Sequence, residues 1–270
     1  MSRLPDITVT VHFHREGALV LPALASMRDM VEAARTKGLN VESRAVLDRA
    51  DDLTRRLVAS RGAWLCGVEE VSVGDLGLAR NAGIRSARGE FVAVLDGDDL
   101  WGAEWLHLAY SAAKGAGVAI WHPEYLYYFY DFEVLSPYCP DISVMEASDV
   151  PEFDRDAKFF GNLWSANAFA LRTVFLRHTY RAVDRETGFG VEDWSWNIET
   201  LLAGIPHRIV RDTVHLIRKK EMGSLHMQNV RNGLLPYLPA DAWPRLGEKR
   251  STRTRSSESA VNSSADPAGV

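Results

Sequence analysis

Three carboxylates arrive within four positions at the end of an apolar run. In Phe91-Val-Ala-Val-Leu-Asp-Gly-Asp-Asp-Leu100 the residues to Leu95 are hydrophobic, and Asp96, Asp98 and Asp99 follow. Negative groups held this close repel one another, so a positive partner is expected among them. A hard divalent cation, Mg²⁺ or Mn²⁺, takes oxygen ligands of this kind and can bridge them to phosphate oxygens. The same residues also suit a plain acidic turn, with Asp99 capping the helix that follows. The triplet alone does not separate these readings; its setting must.

That setting is a Val-rich buried strand whose carboxyl end carries the acids, the end at which open α/β sheets bind ligands. Upstream, the alternating β-branched run Ile7-Thr-Val-Thr-Val-His-Phe13 is a first strand. Periodicity and stop signals then predict a helix over 18–37, a strand over 41–47 ending at Asp48, a short helix over 51–61, a strand over 68–73 and a helix over 76–87. This alternation calls for a mostly parallel, doubly wound sheet. After a helix over 101–115 and a strand over 118–121, the aromatic stretch 122–138 reads as extended, antiparallel structure. A helix from 170 or 172 to 180, a helix over 193–203 and a strand over 205–210 complete a domain spanning 1–238. Apolar content collapses from 240 onward, and 239–270 is expected to be a disordered tail rich in Ser and Arg.

Of 270 residues, 46% are hydrophobic and 25% charged, as in an ordinary globular protein, and a net charge of -5 gives no reason to expect a nucleic-acid partner. Cys66 and Cys139 form no CxxC or Cys/His cluster and suit a reducing compartment. Residues 1–6 lack signal-peptide features, and no apolar run approaches the roughly 20 residues of a membrane span, so a cytoplasmic location is expected. Peripheral contact with the inner face of the cell membrane stays open, through Arg245, Lys249, Arg250, Arg253 and Arg255.

Other aspartate motifs fit poorly. An EF-hand loop starting at Asp96 needs Gly and Glu where Trp101 and His107 stand. A Walker B strand needs an upstream phosphate loop, and none exists. A haloacid-dehalogenase-type pair belongs on the first strand, not on about the fourth. By contrast, Leu78-Ala-Arg-Asn-Ala-Gly-Ile-Arg-Ser-Ala-Arg-Gly-Glu-Phe-Val-Ala-Val-Leu-Asp-Gly-Asp-Asp-Leu-Trp101 closely resembles the family 2 glycosyltransferases. Gly190-Val-Glu-Asp-Trp-Ser-Trp-Asn-Ile-Glu-Thr-Leu-Leu-Ala-Gly204 is similar to their ED motif and its helix, and Arg218-Lys-Lys-Glu-Met-Gly-Ser-Leu-His226 to their closing basic segment. The likeness runs over about residues 5–230.

The resemblance implies a GT-A fold: a Rossmann-like, mostly parallel sheet with helices on both faces and a small antiparallel acceptor-side part. It implies a nucleotide diphosphate sugar donor, a UDP-sugar first, and a sugar or lipid-linked acceptor, with inversion at the anomeric carbon. Mg²⁺ or Mn²⁺ would sit on Asp98 with Asp96 and Asp99, Asp96 facing either the ribose or the metal shell. Asp193 would be the general base and Glu192 would orient acceptor or base; both also suit the cap and first turn of a helix. The first-strand loop departs from the family pattern, as Val11-His-Phe-His-Arg-Glu16. Phe13 or His14 would still stack on the base, Glu16 belongs to the same donor loop, and Asp48 would accept from uracil or ribose unless it is a turn residue. Arg80 is expected to contact donor or phosphate, the alternative being a solvated helix residue. Trp164, Asn167 and Trp194 would meet the acceptor, although aromatic residues here also suit the core. His215 and His226 are weaker candidates as outer metal ligands. A rival reading from another class is a glycosyltransferase-like module that binds a nucleotide sugar or glycan without turnover.

Overall fold

The computed structural model describes residues 4–130, 141–159, 161–220 and 225–238. The first strand, β1 (Ile7–Phe13), is buried along its whole length, as a β-branched strand with neighbours on both sides must be. A 3₁₀ turn at Gly17–Leu19 leads into α1 (Val20–Thr36), whose Val20, Ala23, Leu24, Met27, Met30, Val31 and Ala34 make one apolar stripe at helical spacing. Next come β2 (Val41–Asp48) and α2 (Asp52–Arg61), whose N-cap Asp51 accepts from the Thr54 amide. Then follow β3 (Gly67–Val71), α3 (Leu76–Ser86, capped by Asp75) and β4 (Phe91–Asp96).

The second half begins with a two-residue strand, β5 (Leu100–Trp101), and α4 (Trp105–Ala113). It continues through β6 (Ile120–Tyr130), β7 (Asp141–Val144), β8 (Phe169–Leu171) and α5 (Arg172–Arg177). The last elements are β9 (Phe189–Gly190), α6 (Glu192–Leu202), β10 (His207–Lys219), α7 (Leu225–Arg231) and β11 (Leu235–Pro236). Among the described residues the main sheet has nine strands in the order β3-β2-β1-β4-β8-β6-β10-β5, with β7 on β6, while β9 and β11 form a separate pair.

Side chains of alternate parity on β1 and β4 serve the two faces. Ile7, Val9, Val11, Phe13, Phe91, Ala93 and Leu95 pack against α1 and α4. Val92 and Val94 join Ile84, Phe175 and Trp196 from α3, α5 and α6 on the other face. The chain runs outward from β1 through β2 to β3, then returns to β4 on the opposite side of β1. Strand order therefore reverses between β1 and β4, and it is at such a reversal, beyond the carboxyl ends, that open α/β sheets bind ligands.

The second half differs from expectation in several places. The strand over 118–121 and the start of the aromatic stretch are one strand, β6, which pairs antiparallel with β7 and β8, as expected, but in parallel with β10. The rest of that stretch, 131–138, lies outside the described residues, as does 239–270. The helix expected from 101 starts at Trp105 because Leu100 and Trp101 pair with Leu216 and His215. The strand expected over 205–210 continues to Lys219 past an irregularity between Val210 and Val214. There Glu124 holds the Asp212 amide at 2.8 Å and the Arg211 guanidinium at 2.7 Å. This extension carries the basic C-terminal segment back to the end of β4. Among the described residues no helix is long and apolar enough to cross a membrane.

Candidate active site

The β4 acids do not form one cluster; each has its own partner. Asp96 lies opposite His12 in the β1–β4 register. Its Oδ1 accepts from Arg80 Nη2 at 2.6 Å. Burial alone would raise the Asp96 pKa, but the guanidinium overrides it and holds the carboxyl below its ordinary range. The chain then turns against β1 so closely that a Cβ on Gly97 would stand 2.4 Å from both the His12 carbonyl oxygen and Phe13 Cδ1. Only glycine fits between the two aspartates.

Asp98 receives the Lys220 ammonium at 2.5 Å. Burial, and then the neighbouring Asp99 charge, push its pKa up to about 7 against the pull of Lys220. Asp99 is buried, with Oδ2 accepting from His215 Nε2 and Oδ1 from the Arg218 amide, both at 2.9 Å. Both its oxygens are engaged by β10, and Asp99 is not a helix cap. The N-cap of α4 is Glu104 instead. Among the described residues no three His, Cys, Asp or Glu side chains converge on a cation position. Arg218 also donates from Nε to the Asp98 carbonyl at 3.0 Å, and its guanidinium covers Phe129. Arg218 and Lys220 of the basic segment thus both lie on the acids.

Arg80 is the largest departure from expectation. It is neither solvated nor open to a phosphate: it is 0% exposed, and its second amino group, Nη1, donates to Glu192 Oε1 at 2.9 Å. One guanidinium thereby joins the end of β4 to the start of α6. Glu192 is buried, and burial pushes its pKa up to about 7 despite Arg80.

Neither Glu192 nor Asp193 caps α6. The N-cap is Val191, in left-handed conformation (φ 58°, ψ 75°), with no side-chain cap. Asp193 instead accepts from Asn162 Nδ2 at 2.9 Å and from the Trp194 amide at 2.8 Å, while Asn197 holds Asn162 from behind at 3.0 Å. Burial raises the Asp193 pKa, the direction that makes a carboxylate a better proton acceptor near neutrality. The Asn162 carboxamide thus positions this acid.

On the donor side, Phe13 is core, 1% exposed, and is not available to stack on a base. His14 is exposed, and its Nδ1 donates to the Asp48 carbonyl at 2.5 Å. Glu16 accepts from the His14 amide and is raised in pKa by burial. Asp48 takes the turn role: its Oδ1 accepts from the Val73 and Gly74 amides at 2.8 and 3.0 Å, fixing the loop after β3.

Two of the three acceptor-side residues are also core. Trp164 is 1% exposed, stacks on His207 with centroids 3.9 Å apart, and donates its indole N–H to the Glu146 carbonyl. Asn167 is buried beside the end of β4, and its carboxamide has no hydrogen-bond partner among the described residues. Trp194, partly exposed and next to Asp193, is the one that faces outward. The partners of the acids, Lys220 and His215, were legible only as members of a basic run and as a single histidine.

Comparison with known proteins bears on the family and the fold. The sequence pattern of glycosyl transferase family 2 matches residues 8–162. The chain is 30% identical over 128 residues to the succinoglycan biosynthesis protein ExoO of Rhizobium meliloti, a match covering 44% of this chain and 33% of that protein. Among solved structures, S. aureus TarS 1–349 in complex with UDP-GlcNAc superposes with a TM-score of 0.58 at 18% identity, over 83% of this chain and 60% of that one. The mannosyltransferase PcManGT of Pyrobaculum calidifontis, in complex with GDP-Man and Mn²⁺, gives 0.56 at 19% identity, over 82% and 59%. The chain thus spans about a third of the curated relative and about three fifths of these structures. The β4 acids at the switch point, the acidic start of α6 and the matched pattern agree: the chain has the GT-A fold and belongs to glycosyl transferase family 2.

Proposed function

We propose that this chain transfers a sugar from a nucleotide diphosphate sugar to a hydroxyl acceptor, with inversion and with Asp193 as general base. The observation that carries the reading is the placement of Asp193. Its carboxylate is raised in pKa and fixed by two hydrogen bonds, one peptide away from the Glu192–Arg80–Asp96 chain that leads to the β4 acids. In the reaction, the acceptor oxygen bonds to the anomeric carbon as Asp193 takes its proton. The bond from that carbon to the diphosphate breaks on the opposite face, and its electron pair leaves with the phosphate oxygen. One base and no protein nucleophile suffice. The complexes of relatives with UDP-GlcNAc and with GDP-Man support a nucleotide sugar as donor.

The acids suit a hard divalent cation, and the Lys220 ammonium on Asp98 marks a place where this fold already seats positive charge. Asp98 and Asp96 would hold Mg²⁺ or Mn²⁺, which when bound supplies charge neutralisation to the departing diphosphate. His14 and Glu16 would meet the nucleotide, with Asp48 fixing the loop beside them, and Trp194 would offer a ring to an acceptor sugar. The test is calorimetric titration of UDP, GDP and dTDP with Mn²⁺ and then with EDTA, followed by Asp193→Asn. Cation-dependent binding of one nucleotide, with transfer abolished and binding kept in D193N, is expected. Binding without turnover by the unaltered chain would favour the non-catalytic module, and full transfer by D193N would refute the base assignment.

A further inference from the structure

We propose that Arg80 is a positioning residue that locks the base-bearing start of α6 to the acid-bearing end of β4, acting through Glu192. The inference builds on the function proposed above and goes beyond it, since it rests on what Arg80 and Glu192 do to each other and to the elements that carry them. Arg80 is fully buried and has both amino groups committed, one to Asp96 at 2.6 Å and one to Glu192 at 2.9 Å. Its anchors belong to or adjoin the working groups: Asp96 would share the cation with Asp98, two positions on, and Glu192 precedes Asp193 by one. A planar guanidinium spans two carboxylates in a fixed fork, which a lysine ammonium cannot reproduce.

The helix that carries Arg80 is itself fixed on both sides. Toward the sheet, a Cβ on Gly83 would stand 2.6 Å from Thr10 Oγ1. Toward α6, a Cβ on Gly77 would stand 2.8 Å from the Arg181 carbonyl and 3.1 Å from Glu192 Cβ. Asn81 pairs with both the carbonyl and the amide of Tyr180, at 2.7 and 3.0 Å. Asp75, besides capping α3, accepts from the Val183 amide at 2.9 Å. So α3 is a strut between the sheet and the segment leading to α6.

The start of α6 needs such a hold. Val191, immediately before Glu192, is a β-branched residue at φ 58°, a conformation that persists only where its surroundings impose it. Ser195 Oγ grips the Gly190 carbonyl at 2.7 Å and receives the Tyr237 amide at 2.9 Å on one flank. The Arg80–Glu192 pair is the hold on the other. With it gone, the first turn of α6 can relax away from the strained geometry and take Asp193 with it; removed at Glu192, the pair is lost while Arg80 keeps its bond to Asp96.

The test uses the full chain with Glu192→Ala, Glu192→Gln and Arg80→Lys, read first by amide hydrogen exchange without substrate. The Trp194 and Ser195 amides, bonded at 2.8 and 2.9 Å, should exchange on the order of tenfold faster in E192A and R80K, while β1 amides do not change. E192Q keeps an acceptor for Arg80 and should restore most of the protection. In transfer assays kcat should fall on the order of 100-fold in E192A, with nucleotide affinity within about threefold. The double variant R80K/E192A should be no worse than its weaker parent, because the two residues act as a unit. Unchanged exchange at Trp194 and Ser195 would overturn the proposal, as would a loss confined to nucleotide affinity or multiplying losses in the double variant. If the unaltered chain transfers no sugar, the functional reading fails while the exchange data still decide this one.

Discussion

Replacing His12 by Gln should change how stability depends on pH, and the size of the effect follows from where the ring sits. His12 is buried on the central strand; its Nδ1 donates to the Leu95 carbonyl at 3.1 Å, and its Nε2 lies 3.4 Å from Thr10 Oγ1. Burial, and then the nearby Arg80 charge, lower its pKa from 6.5 to about 4. The folded chain therefore holds this ring neutral where the unfolded chain would protonate it, so stability is lost as pH falls from 6.5 toward 4. At about pH 4.5 that loss amounts to about 2.5 kcal/mol, and above about pH 7.5 it is close to zero. Gln cannot take up this proton but forfeits part of the ring's hydrogen bonding, at a cost of about 1 kcal/mol. Urea unfolding of both proteins from about pH 4.5 to 7.5 should thus give curves that cross near pH 6, H12Q being the more stable below. Glu192 and Asp98, both pushed up to about 7, act in the opposite sense, favouring the fold as pH falls toward their unfolded values. They are present in both proteins and drop out of the difference. Parallel curves would refute the assignment of a neutral buried imidazole.

Two further perturbations probe the acids. Gly97→Ala places a methyl 2.4 Å from a backbone oxygen and from a buried ring, neither of which can yield, and should destabilise by about 1–3 kcal/mol in urea unfolding. Because relief requires moving Asp98 relative to Asp96, nucleotide affinity should fall at least about tenfold by calorimetry, and a stable variant with normal affinity would contradict the close fit to β1. Lys220→Met removes the ammonium that any cation on Asp98 must displace, and an ion pair of this kind contributes about 1 kcal/mol. Mn²⁺ affinity without nucleotide, measured at about pH 8 so that Asp98 is ionised, should rise on the order of fivefold; weaker binding would show that Lys220 assists the cation.

Much of the first half was readable along the chain because its signals are local. The β-branched alternation of 7–13, the helical stripe from Val20 to Ala34 and the Asp caps at 51 and 75 each need only neighbours within a few turns to take effect. The second half was less legible where an element answers to a distant partner. Leu100 and Trp101 have nothing helical or extended about them until β10 arrives at Leu216 and His215. The aromatic run of β6 alternates as an antiparallel strand would, and Tyr125–Tyr128 do pair antiparallel with β7, but the same residues also lie parallel to β10, a partner far along the chain that no local signal announces. Phe13 and Trp164 were read as ligand platforms since a ring looks the same on paper whether it lines a crevice or fills a core.

What the sequence determined by itself was the inventory: a Val-rich strand ending in Asp96, Asp98 and Asp99, an acidic pair opening a helix, and a basic run near the end of the domain. It also determined the order of elements that makes a mostly parallel sheet, since period and turn chemistry are properties of short segments. Only the tertiary structure decided which charge meets which. Arg80 finds Glu192 at a separation of 112 residues, His215 finds Asp99 at 116, and the Arg218 amide finds the same carboxylate at 119. A buried charge must be neutralised by something within hydrogen-bond reach, and that reach is a distance in space that spacing along the chain does not encode.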